Sequence, residues 1–409
     1  MALEDRLRSD VAELEHDAIE LRHQLHRRPE IGLELPQTQR AVLEALDGLP
    51  LEVSTGSSCS SVTAVLRGTG AGGPRPAVLL RGDMDALPVQ EATGLEFAST
   101  VDGVMHACGH DLHTAMLVGA ARLLSAHRDA LAGDVVFMFQ PGEEGWDGAG
   151  RMLAEGVLDA AGPRVGRAYG VHVLAGKVQR RQFTTRPGTL MAASDELKVT
   201  VRGAGGHGSA PHRAKDPVSV AAEIITALQT MVTRQFDIFD PVVITVGSFH
   251  AGTRRNIIPE EAVFEATVRS FSRAARERVG AASVRLCESI AAAHGLEVDA
   301  RFNTEYPVTV NDAAQAAFAT GVVADVFGHD RFTPMPNPEA GAEDFSRVLE
   351  EVPGCYLFLG ACPDEDHGAA EDNHSPRAAF DDSVMADGCL LHAQLAIRAL
   401  GDLAATAAR

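Results

Sequence analysis

Hydrophobic positions in the first 45 or so residues recur at helical spacing. Leu14, Ala18, Leu21 and Leu25 share one face, and after the RRPEIGLELP break Thr38, Val42 and Leu46 do the same. That pattern predicts two packing helices. Further along, the chain turns to short, continuous apolar runs at 62–66, 77–80, 135–139, 169–173 and 356–359, rich in β-branched or aromatic residues. Runs without polar alternation are what strands buried on both faces require, and a helical stretch at 114–127 lies between them. The outer part of the chain therefore reads as α/β, with a mostly parallel central sheet flanked by helices.

The middle differs. Segments 196–201 (ELKVTV), 242–246 and 262–268 alternate in part, as strands with one covered face do, and helical stretches at 217–235 and 272–294 are placed to cover them. We read 190–305 as an inserted second domain, so that 1–189 and 306–409 form the two parts of the first, closed by a helix at 390–400. The length of 409 residues agrees, being more than one ordinary core accommodates.

Composition narrows the function classes. No run of about 18 apolar residues exists to span a bilayer. The N-terminal stretch MALEDRLRSDVAELEHD is acidic and amphipathic, so no signal peptide is expected and the cytosol is the expected location. The six cysteines lack paired CxxC spacing, which argues against structural disulfides. A net charge of −20 repels phosphate backbones and anionic membranes, so neither nucleic acid nor membrane is an expected partner. An anionic small molecule would then need a local cationic site, which metal ions can supply.

Candidate chemistry collects at the ends of the predicted strands. Asp83 and Asp85 follow AVLLRG, Glu143 and Glu144 follow VVFMFQPG, and His172 lies within YGVHV. In open α/β sheets the carboxyl ends of strands are where sites form. One acidic residue there is commonly a loop residue or a helix cap; several converging are not. Adjacent carboxylates in a tight Pro-Gly turn, as at Glu143-Glu144, repel unless cations sit nearby. HACGHDLH packs three histidines, a thiol and an aspartate into eight residues just before a helix expected to begin near Asp111 or Leu112, with Gly109 permitting a sharp turn. Cys108 and His110 are the leading ligand candidates there. His106 and His113 offer the same chemistry, and spacing alone does not choose. His374 in DNHSP completes a thiolate, imidazole and carboxylate set that suits Zn, Mn, Co or Ni better than Mg or Ca. In the second domain His207 lies in a glycine-rich loop, and Asn256 and Arg269 bracket a strand; all three can donate hydrogen bonds to an oxyanion or carboxylate.

Two glycine patterns are decoys. Gly68, Gly70 and Gly73 fit GxGxxG, as do Gly203, Gly205 and Gly208, yet a dinucleotide site needs a helix directly afterwards. Pro74 and a strand follow the first, and Pro211 interrupts the second. No GxSxG nucleophile elbow is present.

Taken in order, RGDMDALPVQE, MHACGHDLHTA, FQPGEEGWDGA, GGHGSAPH, NIIP, GAEDFS and NHSP strongly resemble the metallo-aminoacylase and carboxypeptidase family, in its amidohydrolase subgroup of hippurate hydrolases, auxin-conjugate hydrolases and N-acyl-amino-acid aminoacylases. The resemblance runs from LHRRPE at 25–30 to NHSP at 373–376. It implies a catalytic α/β domain with an inserted α+β lid domain that forms a homodimer interface. It also implies two divalent transition-metal ions per subunit, zinc or manganese first, with cobalt or nickel also suited. Carried onto this chain, Cys108, His110, Glu144, His172 and His374 are the implied metal ligands and Glu143 the implied general base. Asp85 would orient a ligand. His207 would reach the neighbouring subunit's site and hold the oxyanion, and Asn256, Arg269 and Gly341 would bind substrate. Many relatives have histidine where Asp83 stands, which leaves Asp83 without a clear role.

The implied reaction is metal-dependent hydrolysis of an N-acyl amino acid to a carboxylic acid and a free amino acid. A dipeptidase or carboxypeptidase on the same scaffold is the near alternative. A non-catalytic metal or small-ligand binding module is the distant one, which Glu143 beside a full ligand set argues against.

Overall fold

The computed structural model describes residues 2–70, 75–364 and 366–407; Gly73 and Pro74, part of the first glycine pattern, lie outside them. The chain divides into two compact units. One comprises Met1–Gly188, Val310–Pro336 and Arg347–Arg409; the other comprises Thr189–Thr309 and Asn337–Ser346.

Among the described residues the first unit is built on a seven-stranded sheet, in the order Leu51–Thr55, Val62–Arg67, Asp134–Gln140, Ala77–Asp83, Val165–Leu174, Gly354–Gly360 and Phe183–Thr184. The four strands from Asp134–Gln140 to Gly354–Gly360 run parallel. Pairing turns antiparallel at both edges, so the sheet is mixed rather than mostly parallel. The first edge explains why: Leu51–Thr55 and Val62–Arg67 are joined by six residues, too few for a parallel crossover.

Burial accounts for the sequence pattern. Ala77–Asp83, Asp134–Gln140 and Gly354–Gly360 are buried at every position, hence their unbroken apolarity. Helices Leu3–Arg27, His110–Ala126 and Met385–Ala407 pack on one another, and the last two lie against Ala77–Asp83. Each fully buried Leu, Val or Phe side chain contributes roughly 1.5–3 kcal/mol.

Elements that the pattern did not predict have physical reasons. Leu51–Thr55 is an edge strand with four of its five residues exposed, so it carries no apolar run. Helix Ala313–Phe327 is apolar on nearly every face and shows weak periodicity. Its start is fixed by Asp312, whose side chain accepts the Gln315 N–H at 2.9 Å.

The second unit is a four-stranded antiparallel sheet in the order Val242–Ala251, Glu261–Ser270, Ala193–Arg202, Glu297–Tyr306. Leu197, Val199 and Val201 alternate inward, as do Ala262, Phe264, Ala266 and Val268, and helices Pro217–Gln235 and Arg273–Ala293 cover that face. Glu297–Tyr306, not foreseen, is a polar edge strand. Residues 337–346, expected with 306–409, cluster with the second unit instead, because Glu339 donates its N–H to Leu190 O at 2.8 Å and accepts from Ala192 N at 3.1 Å. The second glycine pattern leads to a strand of two residues and a single 3-10 turn, not to a helix.

Gly82 sets how closely helix His110–Ala126 approaches the sheet, since a Cβ there would lie 2.8 Å from His113 O. Gly82→Ala is expected to cost about 1–3 kcal/mol through overpacking. Scanning calorimetry would register a lower unfolding temperature, and an unchanged one would contradict the close packing.

Candidate metal centre

Three adjacent parallel strands deliver acidic and imidazole groups at their carboxyl ends. Ala77–Asp83 ends on Asp83 and leads to Asp85, Asp134–Gln140 leads through Pro141-Gly142 to Glu143 and Glu144, and Val165–Leu174 carries His172. Gly142 takes the turn with φ 69°. The buried Asp85 carboxylate then fixes both glutamates by their backbone: Oδ1 accepts the Glu143 N–H and Oδ2 the Glu144 N–H, each at 3.0 Å.

Cys108 and His110 arrive by another left-handed glycine. Gly109 has φ 82°, and a Cβ on it would lie 2.4 Å from Val173 Cγ2, so only glycine lets the chain pass. The helix begins at His110, slightly earlier than the sequence suggests. Asp111 in its first turn is fully buried and accepts from Arg22 Nε at 3.1 Å, with His26 Nδ1 at 2.9 Å, which ties the helix start to helix Leu3–Arg27. His110 Nδ1 donates to Asp85 O at 2.9 Å. Its Nε2 is buried, has no hydrogen-bond partner and lies 3.4 Å from Asp83 Oδ2.

His374 enters from a loop. It has φ 71°, a left-handed conformation that costs a non-glycine residue about 1–2 kcal/mol, and its N–H bonds Ala107 O at 2.8 Å. Its Nε2 lies 3.3 Å from Cys108 Sγ and 3.1 Å from Glu144 Oε1. Cys108 Sγ in turn lies 3.5 Å from His172 Nε2. The donor atoms of Cys108, His110 and His172 fall within 4.8 Å of one another, as do those of Cys108, Glu144 and His374, and those of His110, Glu143 and Glu144. All five sequence-derived ligand candidates, with Glu143, thus converge on one pocket.

Electrostatics describes a pocket suited to cations. Burial alone would raise the Asp83 and Glu144 pKa values; Arg81 with His110 and His113 holds Asp83 well below the carboxylate range, and His374 with His110 does the same for Glu144 to a lesser degree. His374 is pushed up to about 10 by its contacts with Cys108 and Glu144. His172 sits well below the usual histidine value because burial and the neighbouring His113 disfavour its charge, and its Nδ1–H is committed to Val173 O at 2.7 Å. Its Nε2 lone pair therefore faces Cys108. Donor separations of 3.3–3.5 Å suit atoms sharing a cation at about 2.0–2.3 Å. The buried, unpartnered His110 Nε2 and this acid-rich donor set fit divalent transition metal, which would replace the protons on His374 and His110.

Of the alternatives in HACGHDLH, His106 is buried with neither ring nitrogen partnered, is pushed down to about 3 by burial, and joins none of the donor sets. His113 has both nitrogens engaged, Nδ1 with Asp83 Oδ1 at 2.5 Å and Nε2 with the Val173 N–H at 2.8 Å.

Comparison with known proteins agrees with this geometry. Residues 79–398 match the model of Peptidase family M20/M25/M40. The chain belongs to this family. It is 38% identical over 402 residues to thermostable carboxypeptidase 2 of Saccharolobus solfataricus, covering 97% of this chain and 99% of that protein. It is 35% identical over 377 residues to N-acetyl-L-cysteine deacetylase of Bacillus subtilis, covering 92% and 86%. Among solved structures, a dinuclear metal-binding M20 peptidase of Bacillus subtilis superposes with a TM-score of 0.80 at 30% identity, over 95% of this chain and 99% of that one. As an M20 family member the protein is a metal-dependent amidohydrolase.

The remaining sequence candidates lie in the second unit. His207 and Asn256 are neighbours, since Gly206–His207 pairs with Ile257–Ile258 and Gly208 N donates to Asn256 O at 2.9 Å; both are exposed. Arg269 is half-buried and donates to Ser194 Oγ at 2.6 Å, while Gly341 is exposed beside Met191. Sequence reasoning passed over Asn373, which donates to Val173 O at 3.1 Å and accepts the Ala175 N–H at 2.8 Å, and over Arg81, which donates to Asp83 Oδ2 at 2.6 Å. Their signal was position alone, beside His374 and within RGDMD.

Two outcomes follow from this geometry. Asp85→Asn replaces one backbone-accepting oxygen by an amide donor, and metal affinity is expected to fall about 10–100-fold with the fold retained; calorimetric titration giving wild-type affinity would contradict this. His26 is disfavoured as a cation by burial but held up to about 9 by Asp111 and Glu91, against an ordinary value of 6.5. Its stabilising contribution is therefore complete below pH 6.5 and is lost as pH rises through 9. The unfolding temperature should decline across that window, and His26→Gln should flatten the decline; an equal slope in both proteins would refute it.

Proposed function

We propose that the protein hydrolyses N-acyl amino acids, using two divalent ions, zinc or manganese foremost, held by Cys108, His110, Glu144, His172 and His374. The observation that carries this reading is the Glu143 carboxylate lying within 4.8 Å of donor atoms of His110 and Glu144, on a backbone gripped by Asp85. A site that only binds metal has no use for that extra carboxylate. When bound, the ions supply Lewis acidity that polarises the amide carbonyl and the attacking water. Glu143 takes a proton from that water and delivers it to the leaving amine nitrogen. Asp85 keeps Glu143 and Glu144 in register with His110. His207 serves as an oxyanion donor, and Asn256, Arg269 and Gly341 serve the substrate carboxylate and acyl group.

The relatives' names support the substrate class, because one deacetylates N-acetyl-L-cysteine. The other is a carboxypeptidase, which keeps peptide hydrolysis as the second reading. The second unit is proposed as a lid and dimer interface. Its Val242–Ala251 strand is one edge of the sheet, and Ile238, Phe239, Val243 and Phe249 on or beside it expose large apolar surface.

A panel of N-acetyl, benzoyl, long-chain acyl and indole-acetyl amino acids, run beside dipeptides with manganese, zinc or cobalt, tests the reading. Turnover of acyl-amino acids well above dipeptides is expected; the reverse order favours the peptidase. Glu143→Gln should keep bound metal while kcat falls about 10²–10⁴-fold, and a fully active variant removes Glu143 from its role.

A further inference from the structure

Asp83 and His113 share a fully buried contact that the proposed reaction does not use. The Val173 N–H points at His113 Nε2 at 2.8 Å, so that nitrogen is the acceptor and carries no proton. The ring proton therefore sits on Nδ1 and is donated to Asp83 Oδ1 at 2.5 Å. Asp83 is held from its other side by Arg81, at 2.6 Å to Oδ2, and Arg81 is anchored by Gln140 at 2.9 Å and the Tyr356 hydroxyl at 3.1 Å. His113 is thus a neutral ring of fixed tautomer with both nitrogens engaged, which sets it apart from the proposed ligands although its donor atom lies within 4.8 Å of those of Asp83 and His110.

The far end of this chain of bonds is the residue next to His172. Val173 is gripped at both of its backbone polar groups: its N–H by His113, and its carbonyl by His172 Nδ1 at 2.7 Å and Asn373 Nδ2 at 3.1 Å. His113 therefore holds the peptide that joins His172 to Val173, and the carbonyl that sets the His172 tautomer lies on the far side of the same residue, where Asn373 also holds it. On the Ala77–Asp83 side strand pairing ends at Gly170, so His113 supplies the grip there, while on the other side His172 and Val173 stay in register with Phe358 and Leu359.

We propose that Asp83 and His113 form a positioning pair, which through the Val173 peptide aims His172 Nε2 at Cys108 Sγ. The proposal rests on the metal reading above, and it gives Asp83 the role that its departure from histidine left open. The bonds run from the end of one parallel strand, through the first turn of a helix, to the end of the next strand. Losing the pair would free the His172 ring to turn while the ligand atoms themselves remain.

The test is calorimetric titration of metal-free protein with Mn²⁺, Zn²⁺ and Co²⁺, alongside unfolding temperatures. His113→Leu removes both bonds, and metal affinity is expected to fall about 10–100-fold. His113→Gln places an amide oxygen where Nε2 stood and should recover about tenfold of that loss. His113→Asn reaches only the Asp83 side and should stay as weak as His113→Leu, for which it substitutes should that variant not fold. Wild-type affinity in His113→Leu, or equal affinities for the Gln and Asn variants, overturns the pair's role while leaving the metal centre standing. Absence of metal binding by the wild-type protein instead overturns the centre, and the pair with it. A drop in unfolding temperature without loss of affinity marks a merely structural contact and also overturns the proposal.

Discussion

Asp83, Asp85, Glu143, Glu144 and the Cys108 thiol bring five acidic groups to the carboxyl ends of neighbouring strands, all but Glu144 in buried surroundings. Removing such groups from water is costly unless cations or hydrogen-bond donors meet them. Their partners differ in kind. Asp83 meets Arg81 and His113, Asp85 meets two backbone N–H groups, and Glu144 and Cys108 meet His374. The last two share a half-exposed loop histidine, with His172 Nε2 3.5 Å from the sulfur, and it is there that divalent ions would stabilise most.

This constraint explains local features that otherwise look unrelated. Gly109 and Gly142 adopt left-handed backbone because the segments they carry must turn sharply into a crowded pocket, and His374 accepts the same conformation without being glycine. Local backbone strain of this kind persists when surrounding contacts over-determine it. Here the His374 N–H to Ala107 and the neighbouring Asn373 side chain provide those contacts. The helix that starts at His110 is likewise fixed from below by Arg22, His26 and Asp111, so the loop that carries Cys108 is held on two sides.

Much of this was legible in the sequence, for a physical reason. Strands buried on both faces, such as Ala77–Asp83 and Asp134–Gln140, leave unbroken apolar runs, and the residues just beyond them announce a site at their carboxyl ends. Elements that bury little, or whose apolar residues show no periodicity, escaped: the exposed edge strand Leu51–Thr55, the polar edge Glu297–Tyr306 and the nearly uniformly apolar helix Ala313–Phe327. Residues 337–346 join the second unit through backbone bonds to Leu190 and Ala192, which no side-chain pattern encodes. In the centre, spacing could not separate His110 from His113. The difference lies in which nitrogens tertiary partners occupy, and that depends on Val173, some sixty residues away in sequence.

The central claim is that the Cys108 sulfur and the surrounding imidazoles and carboxylates bind a pair of cations together. X-ray absorption at the zinc edge of the loaded protein addresses it directly. The account predicts sulfur scattering at about 2.3 Å with nitrogen and oxygen near 2.0–2.2 Å, a second metal in the outer shell, and loss of the sulfur signal in Cys108→Ser. A spectrum without sulfur, or one that Cys108→Ser leaves unchanged, would contradict it.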